Sequence, residues 1–400
     1  MPLYIKDIMN EVFIVSVART PIGAFSGSLS PLTATQLGTS VIKDAVSQAG
    51  IDSDKVQEVY MGNVLQANNG QAPARIAALA AGISTDTPCT TVNKVCASGM
   101  KAVMLATQSL RLGDAEIAVA GGMESMTNAP YYIPKGRSGY RYGNAEILDA
   151  IVRDGLQDPY KGYMMGNVGE LCAKKYNFSR EDQDAYAVES YKRAEAAIEN
   201  GWFNDELSPV EIPQRRGEPV SVSEDDEPKR INFDKVATVR PAFEKDGTIT
   251  AINASKINDG ACALVLMTAK AVEETGAKPI AKILSYADAA NEPEWFTTAP
   301  AKAIPKALGK AGISKDDVDF YEINEAFSVV SLANIQELGL DKDKVNVFGG
   351  AVSLGHPIGV SGARILATLT SVLKHKKGTI GCAGICNGGG GASAMVIERV

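Results

Sequence analysis

Histidine is the scarcest chemical resource of this chain: 400 residues hold only His356 and His375. Two histidines and six scattered cysteines make a poor four-ligand zinc set, which sets metal chemistry of that kind aside. Six cysteines are also too few for a dense disulfide framework, so a reducing compartment is expected. Long apolar runs are missing. Ala261 to Ala269 is apolar but falls well short of the ~18 residues a membrane helix needs. Excess positive charge is missing too. At a formal −7 the chain has no bulk attraction for nucleic acid or anionic membrane, and an anionic ligand requires a local basic patch. The stretch Met1 to Met9 lacks both a signal-peptide pattern and an Arg- and Ser-rich transit pattern, and Glu398-Arg399-Val400 is not a peroxisomal address. A cytoplasmic protein is expected, with the mitochondrion as the alternative for a processed form.

What is present is a large apolar fraction, 45 %, in a chain longer than one usual domain, which implies two compact units or a duplicated one. The sequence repeats itself. Ala49 to Val56 reads Ala-Gly-Ile-Asp-Ser-Asp-Lys-Val, and Ala311 to Val318 reads Ala-Gly-Ile-Ser-Lys-Asp-Asp-Val, 262 positions on. Ser98-Gly99-Met100-Lys101 returns as Ser361-Gly362-Ala363-Arg364, 263 positions on. Shared spacing at two separate matches argues for one unit written twice. Within each unit, strand patterns (Val12 to Val15, Ile117 to Ala120, Thr379 to Ala383) alternate with helical ones. The helices are predicted over Leu37 to Gln48, Gly99 to Leu112, Pro300 to Ala311 and Gly362 to Lys374, the first two ending at Gly50 and Gly113. Such alternation implies an α/β fold with parallel sheets under helices. Roughly residues 123 to 250 have no counterpart in the second half. They hold an aromatic, glycine-rich stretch (Tyr131 to Tyr142), a helical pattern (Arg180 to Asn200) and a polar loop (Arg215 to Arg230), and read as an inserted lid or substrate-binding subdomain.

The chemistry concentrates at three points. Cys96 lies in Asn93-Lys94-Val95-Cys96-Ala97-Ser98-Gly99, where a strand turns directly into a helix. A helix N-terminus or a nearby histidine lowers a thiol from its usual ~8.5, which suits a nucleophile. Cys386 opens a glycine loop, Gly388 to Gly391, that lacks the spacing of a nucleotide-phosphate cradle. His356 stands between Gly355 and Pro357-Ile358-Gly359, where glycine lets backbone approach a ligand; His375, in a Lys-rich helix end, is read as solvated. The repeat carries Cys96 onto Gly359, Cys386 onto Met123 and Gly62 onto Asn324, so packing about a pseudo-twofold axis would bring these loops together. Two thiols and a histidine at strand ends suggest acyl transfer: thiolate attack on a thioester exchanges one thioester for another and needs little driving force.

These motifs, together with Val17 to Pro21, Gly121 to Met126, Asn253-Ala254-Ser255, Asn258-Asp259-Gly260, Asn324 to Phe327, Gly355 to Gly359 and Cys386 to Gly391, resemble the thiolase family over essentially the whole chain, most closely its eukaryotic acetoacetyl-CoA branch. The resemblance implies the thiolase fold, two similar βαβαβ-type halves with pseudo-twofold symmetry and an inserted loop domain. The halves would cover 1–122 with 251–272, and 273–400, around an insert at 123–250. It implies reversible Claisen condensation of two acetyl-CoA to acetoacetyl-CoA and CoA, for isoprenoid or sterol precursors, with no covalent cofactor. Cys96 would carry the acetyl group and Cys386 would be the acid/base. His356 with a water on Asn324, and the N–H groups of Cys96 and Gly388, would form two oxyanion holes. CoA would meet Tyr191, Arg230, Asn232, Lys235, Ser255, Met165 and Phe327. Potassium would sit at Tyr191, Ala251, Ile252, Ala254 and Val352, mostly on backbone carbonyls, and the Tyr131 to Tyr142 stretch would join a homotetramer. One departure stands out: short-chain members read His-Met-Gly where this chain has Met164-Met165-Gly166, at the acyl end of the substrate. A broader 3-ketoacyl-CoA thiolase is therefore the competing enzyme, and a silent acyl-CoA-binding scaffold the competing non-enzyme.

Overall fold

The computed structural model describes residues 10–400, so the stretch Met1 to Met9 read for targeting lies outside them. Its centre is a ten-stranded sheet made of two similar halves, nine strands in one row and the short strand Gly23–Ala24 paired to the start of Asn258–Thr268. In the first, the order is Cys89–Val92, Glu58–Gly62, Ile117–Ser125, Asn258–Thr268 and Val12–Arg19. In the second it is Ala281–Ala290, Gly391–Arg399, Ile380–Asn387 and Phe320–Ile323. Val12–Arg19 meets Ala281–Ala290 through Phe13 with Lys282 and Ile14 with Ala281, which joins the halves.

The repeat extends to details that the residue matches do not include. A bulge between Ile14 and Ser16 recurs between Ile283 and Ser285. At each bulge the serine hydroxyl donates to a helix carbonyl at 2.6 Å, Ser16 to Ala45 and Ser285 to Ala307. All four predicted helices are present, as Ala34–Ala49, Ser98–Leu112, Pro300–Ala311 and Ser361–His375. Gly50, Gly113 and Gly312 end the first three in the left-handed conformation, where a side chain is disfavoured.

The expectation of parallel sheets needs correction. Parallel pairing is confined to Glu58–Gly62 with its two neighbours and to Phe320–Ile323 with Ile380–Asn387; the inner pairs are antiparallel. The reason is how the chain turns back after the last parallel strand of each half. In the second half a glycine turn makes Ile380–Asn387 and Gly391–Arg399 a hairpin. In the first half the insert stands where that turn would be, and Asn258–Thr268 returns antiparallel to Ile117–Ser125. The intervening segment adds no strand to the central sheet among the described residues, only two separate two-stranded ribbons.

Helices Ser98–Leu112 and Ser361–His375 share one apolar core with strands of both halves. Ala34–Ala49 and Pro73–Ala80 cover the opposite face of the first half, and Pro300–Ala311 that of the second. Ser361 to Leu373 is buried all round, as a helix between two layers must be. Gly99 and Gly362 let the two central helices approach: a Cβ on Gly362 would lie 2.5 Å from the Met100 nitrogen, and one on Gly99 2.9 Å from the Ala363 nitrogen. That contact places the strand-end loops of the two halves side by side.

Candidate active site

Cys96 rides on a strained turn. After Cys89–Val92, the Asn93 side chain accepts from the Val95 N–H at 2.9 Å, and Val95 adopts φ 47°. A β-branched residue there costs about 1–3 kcal/mol and persists only when its surroundings hold it. Ser98 does so, its hydroxyl donating to the Val95 carbonyl at 2.6 Å and accepting from the Lys94 N–H at 2.8 Å. Lys94 in turn crosses to the other half, where its ammonium pairs with Asp288 and donates to Ser393 at 2.8 Å. The thiol is thus presented between a strand end and the first turn of Ser98–Leu112.

Cys386 comes from the other half, near the end of Ile380–Asn387, and is 1 % exposed. The glycine loop after it is the hairpin turn. Gly389 and Gly390 take φ 83° and 89°, and a Cβ on Gly390 would strike the Asn291 carbonyl, so the glycines serve chain reversal. The turn aims the Gly388 N–H at the Cys96 sulfur. The two thiols also sense each other's charge: burial foremost, then Cys96, pushes Cys386 well up. Here the structure departs from the expected low-pKa nucleophile. Burial pushes Cys96 up to about 11, and only the N–H groups of Gly388 and Cys96 itself pull it down. Both shifts favour the thiol over the thiolate.

His356 is buried, its Nδ1 lying 2.6 Å from the Ser361 hydroxyl and its backbone N–H donating to the Asn258 side-chain oxygen at 2.9 Å. Its Nε2 is buried with no partner among the described residues. When the Ser361 hydroxyl donates to Nδ1 instead of to the Pro357 carbonyl 3.1 Å away, Nε2 carries the imidazole hydrogen and offers it to the site. Burial, then Arg364, pushes His356 down to about 3, so it works as a neutral imidazole. Asn324 follows Phe320–Ile323 and donates its backbone N–H to Gly384 at 3.0 Å, two residues before Cys386. Both polar atoms of its side chain are buried and unpartnered among the described residues. A buried amide with free donor and acceptor is equipped to hold a water or a ligand oxygen.

Glu124 has a part that sequence reasoning missed. It is fully buried and accepts from Asn63 Nδ2 (2.7 Å), Val64 N–H (3.0 Å), Leu65 N–H (3.0 Å) and Gly359 N–H (2.8 Å). One carboxylate thereby ties the loop after Glu58–Gly62 to the His356 loop. Burial pushes it up to about 7 against those four donors. The available signal was a lone acidic residue inside the buried run Ile117–Ser125.

The remaining expected residues divide. Met165 and Phe327 pack with Cys386, Phe296 and Phe243 in one apolar cluster, and the Met165 sulfur would lie 3.7 Å from a Cβ on Gly388. These form the apolar wall beside the thiols. Ser255 donates to the Ala326 carbonyl at 2.8 Å, next to the Asn324 turn. Arg230, Asn232 and Lys235 are exposed: Arg230 ends the short helix Pro228–Arg230, Lys235 lies in the short helix Phe233–Thr238, and Asn232 stands between them. Buried Tyr191 underlies that segment, its ring edge-on to Phe233 at 6.5 Å. His375, read as solvated, instead pairs through Nε2 with Asp205 at 2.8 Å.

The potassium expectation does not fit. The carbonyls of Ile252, Ala254 and Val352 do converge, beside Tyr191, but they accept from the ammonium of Lys256 at 3.3, 3.0 and 2.8 Å. A cation of the chain's own stands where the metal ion was expected.

Comparison with known proteins agrees with this geometry. The thiolase N-terminal domain model matches residues 12–270 and the thiolase C-terminal domain model residues 277–399. An acetyl-CoA acetyltransferase of Schizosaccharomyces pombe is 56 % identical over 98 % of this chain and 100 % of its own length. A cytosolic acetyl-CoA acetyltransferase of Gibberella zeae is also 56 % identical, over 98 % of this chain and 99 % of its own, and a mitochondrial one of Mus musculus is 54 % identical over 99 % and 92 %. An Ascaris suum thiolase solved with coenzyme A superposes with a TM-score of 0.93 at 47 % identity, covering 98 % of this chain and all of that one. A Bacillus anthracis acetyl-CoA acetyltransferase gives 0.96 at 41 %, with the same coverage. With both domain models matched across nearly all its length, and two thiols meeting where its halves join, this chain belongs to the thiolase family.

Proposed function

We propose that the chain is an acetyl-CoA C-acetyltransferase, condensing two acetyl-CoA to acetoacetyl-CoA and CoA and running in reverse by thiolysis. This reading is supported by two thiols, Cys96 and Cys386, close enough to act on each other, and by the buried, unpartnered polar atoms of His356 and Asn324 on strand-end loops. Cys96 loses its proton to solvent, and its thiolate attacks the thioester carbonyl of acetyl-CoA. The N–H groups of Cys96 and Gly388 face the resulting oxyanion, and CoA leaves with the Cys386 proton, which makes Cys386 a thiolate. That Cys386 thiolate then removes an α-proton from a second acetyl-CoA. That proton is weakly acidic, and the His356 Nε2–H with an Asn324-held water lowers the cost by bonding the enolate oxygen. A donor of this kind is worth about 2.7–4 kcal/mol of barrier. The carbanion attacks acetyl-Cys96, the carbon–sulfur bond breaks, and Cys96 leaves as the thiolate while Cys386 keeps the α-proton.

CoA would run from the thiols to the exposed Arg230, Asn232 and Lys235, with Tyr191 and Ser255 beneath its path. The acyl end would face Met165 and Phe327, an apolar wall that suits short acyl groups. The relatives include cytosolic and mitochondrial enzymes, and no described helix is long and apolar enough to cross a membrane. We favour the cytosol and a role in supplying isoprenoid or sterol precursors. We also propose halves at 1–122 with 251–272 and 273–400, around the insert 123–250, a division supported by the doubled sheet and the two ribbons, although the strand Ile117–Ser125 runs three residues past the first boundary.

The test is peptide-mapped mass spectrometry after brief exposure to equimolar acetyl-CoA and octanoyl-CoA. Acetyl on Cys96 alone is expected, while octanoyl there would move the reading to a degradative thiolase. Cys386→Ser should still be acetylated at Cys96 yet condense at least about a hundredfold more slowly, the usual size of a lost acid/base group. Normal condensation by that variant would sink the assignment.

A further inference from the structure

Lys256 is a partly buried lysine whose ammonium has no hydrogen-bonded carboxylate among the described residues. Its three bonds all go to backbone carbonyls, those of Val352, Ala254 and Ile252, and the Tyr191 ring centroid lies 5.1 Å away. Three carbonyl oxygens and an aromatic face around one positive charge form a cage for a monovalent cation. The charge has a reason to be there. Glu227 and Glu325 act on Lys256 electrostatically, and both are buried, Glu325 with both oxygens bonded elsewhere and Glu227 with one. Glu227 accepts from Asn258 at 3.0 Å; Glu325 accepts from Tyr186, Ser190, Asn346 and the Val352 N–H at 2.8–3.0 Å. Without a cation, two buried carboxylates would face a ring of carbonyls.

We infer that the Lys256 ammonium is a tethered replacement for a monovalent metal ion, so that this enzyme keeps its active-site loops in place without potassium. An ammonium and a potassium ion carry the same charge and have similar radii, so one ring of oxygens suits both. The tether makes occupancy independent of ion concentration. The cage joins three elements: the helix Arg180–Glu199 through Tyr191, the turn Ile252 to Ala254, and the short helix Ala351–Leu354, which ends next to Gly355-His356. The neighbouring Ser255 is bonded to Ala326, beside Asn324. Lys256 touches no reacting atom and is a positioning residue, holding the CoA-facing turn against the loops that carry His356 and Asn324.

The test compares wild type, Lys256→Ala and Lys256→Met, dialysed into potassium, sodium or N-methylglucamine chloride at equal ionic strength. The readouts are Tm and the KM and kcat for acetoacetyl-CoA thiolysis. Wild type should show the same Tm and KM in all three salts. Lys256→Ala should lose Tm and raise KM by about tenfold or more in N-methylglucamine, as expected for loss of buried charge-assisted bonds. Potassium should restore most of both. Lys256→Met fills the cage without charge and should stay impaired in every salt. Potassium activation of wild type, a Lys256→Ala indifferent to salt, or rescue of Lys256→Met would each overturn the inference. The Tm comparison reads the cage alone, so it decides the matter even if the chain acts on a different acyl group.

Discussion

Burial outweighs the N–H groups aimed at Cys96 and Cys386 and favours the thiol over the thiolate at both. The reactive Cys96 thiolate therefore forms by loss of that thiol's proton, instead of standing ready in the free enzyme. This has a measurable consequence. With Cys96 near 11, its thiolate fraction rises about tenfold for each pH unit below that value. Alkylation of the free enzyme by iodoacetamide, mapped to Cys96, should keep climbing at that slope from about pH 7 to 9. A plateau below about pH 8 would show a thiolate already stabilised in the resting site. His356 contributes no titration across the same range, since it stays neutral well above 3.

The elements that carry these residues are held from beneath by buried polar ties. Glu124, rooted in the strand Ile117–Ser125, uses both oxygens to bind two loops from different halves. Glu124→Gln keeps the size but leaves one oxygen for four donors and turns an amide NH2 toward backbone N–H groups. The substitution should cost about 2 kcal/mol, read as a lower urea midpoint, because buried donors lose their acceptor. It should also lower kcat, since the Gly359 N–H that fixes the His356 loop is released. A wild-type midpoint would mean the loops hold themselves. The same logic explains Val95: a strained residue next to the nucleophile is kept by Ser98 and by Lys94's reach into the second half.

At the scale of the molecule, the insert leaves an apolar arm uncovered. Tyr131, Ile133 and Ile147 are 57–61 % exposed, and Tyr142 is fully exposed. Such a patch marks an association surface, and a homotetramer built through this arm is the proposal that fits it. Size-exclusion chromatography with light scattering should give a four-chain mass. Tyr131→Ser combined with Ile133→Ser should reduce it without unfolding the chain. A monomeric wild type would refute the assembly.

Much of this was legible in the chain before any coordinates. The repeat, the helix-ending glycines and the strand-to-helix position of Cys96 are local patterns, and the forces behind them (backbone sterics, apolar spacing, helix ends) act over a few residues. Those patterns put Cys96, Cys386, His356 and Asn324 on equivalent strand-end loops, because a duplicated unit constrains where such loops lie. Strand direction was not legible, since it depends on how the chain returns after Asn387 and after Ser125. Nor were the thiol pKa values, which burial by distant segments controls. Glu124 and Lys256 show the limit most clearly. Each is a single charged residue in an ordinary-looking stretch, and its role comes from partners up to 235 positions away in the case of Glu124 and Gly359. Only the folded chain gathers the donors around one and the carbonyls around the other, and removal of those groups from water is what makes the charges matter.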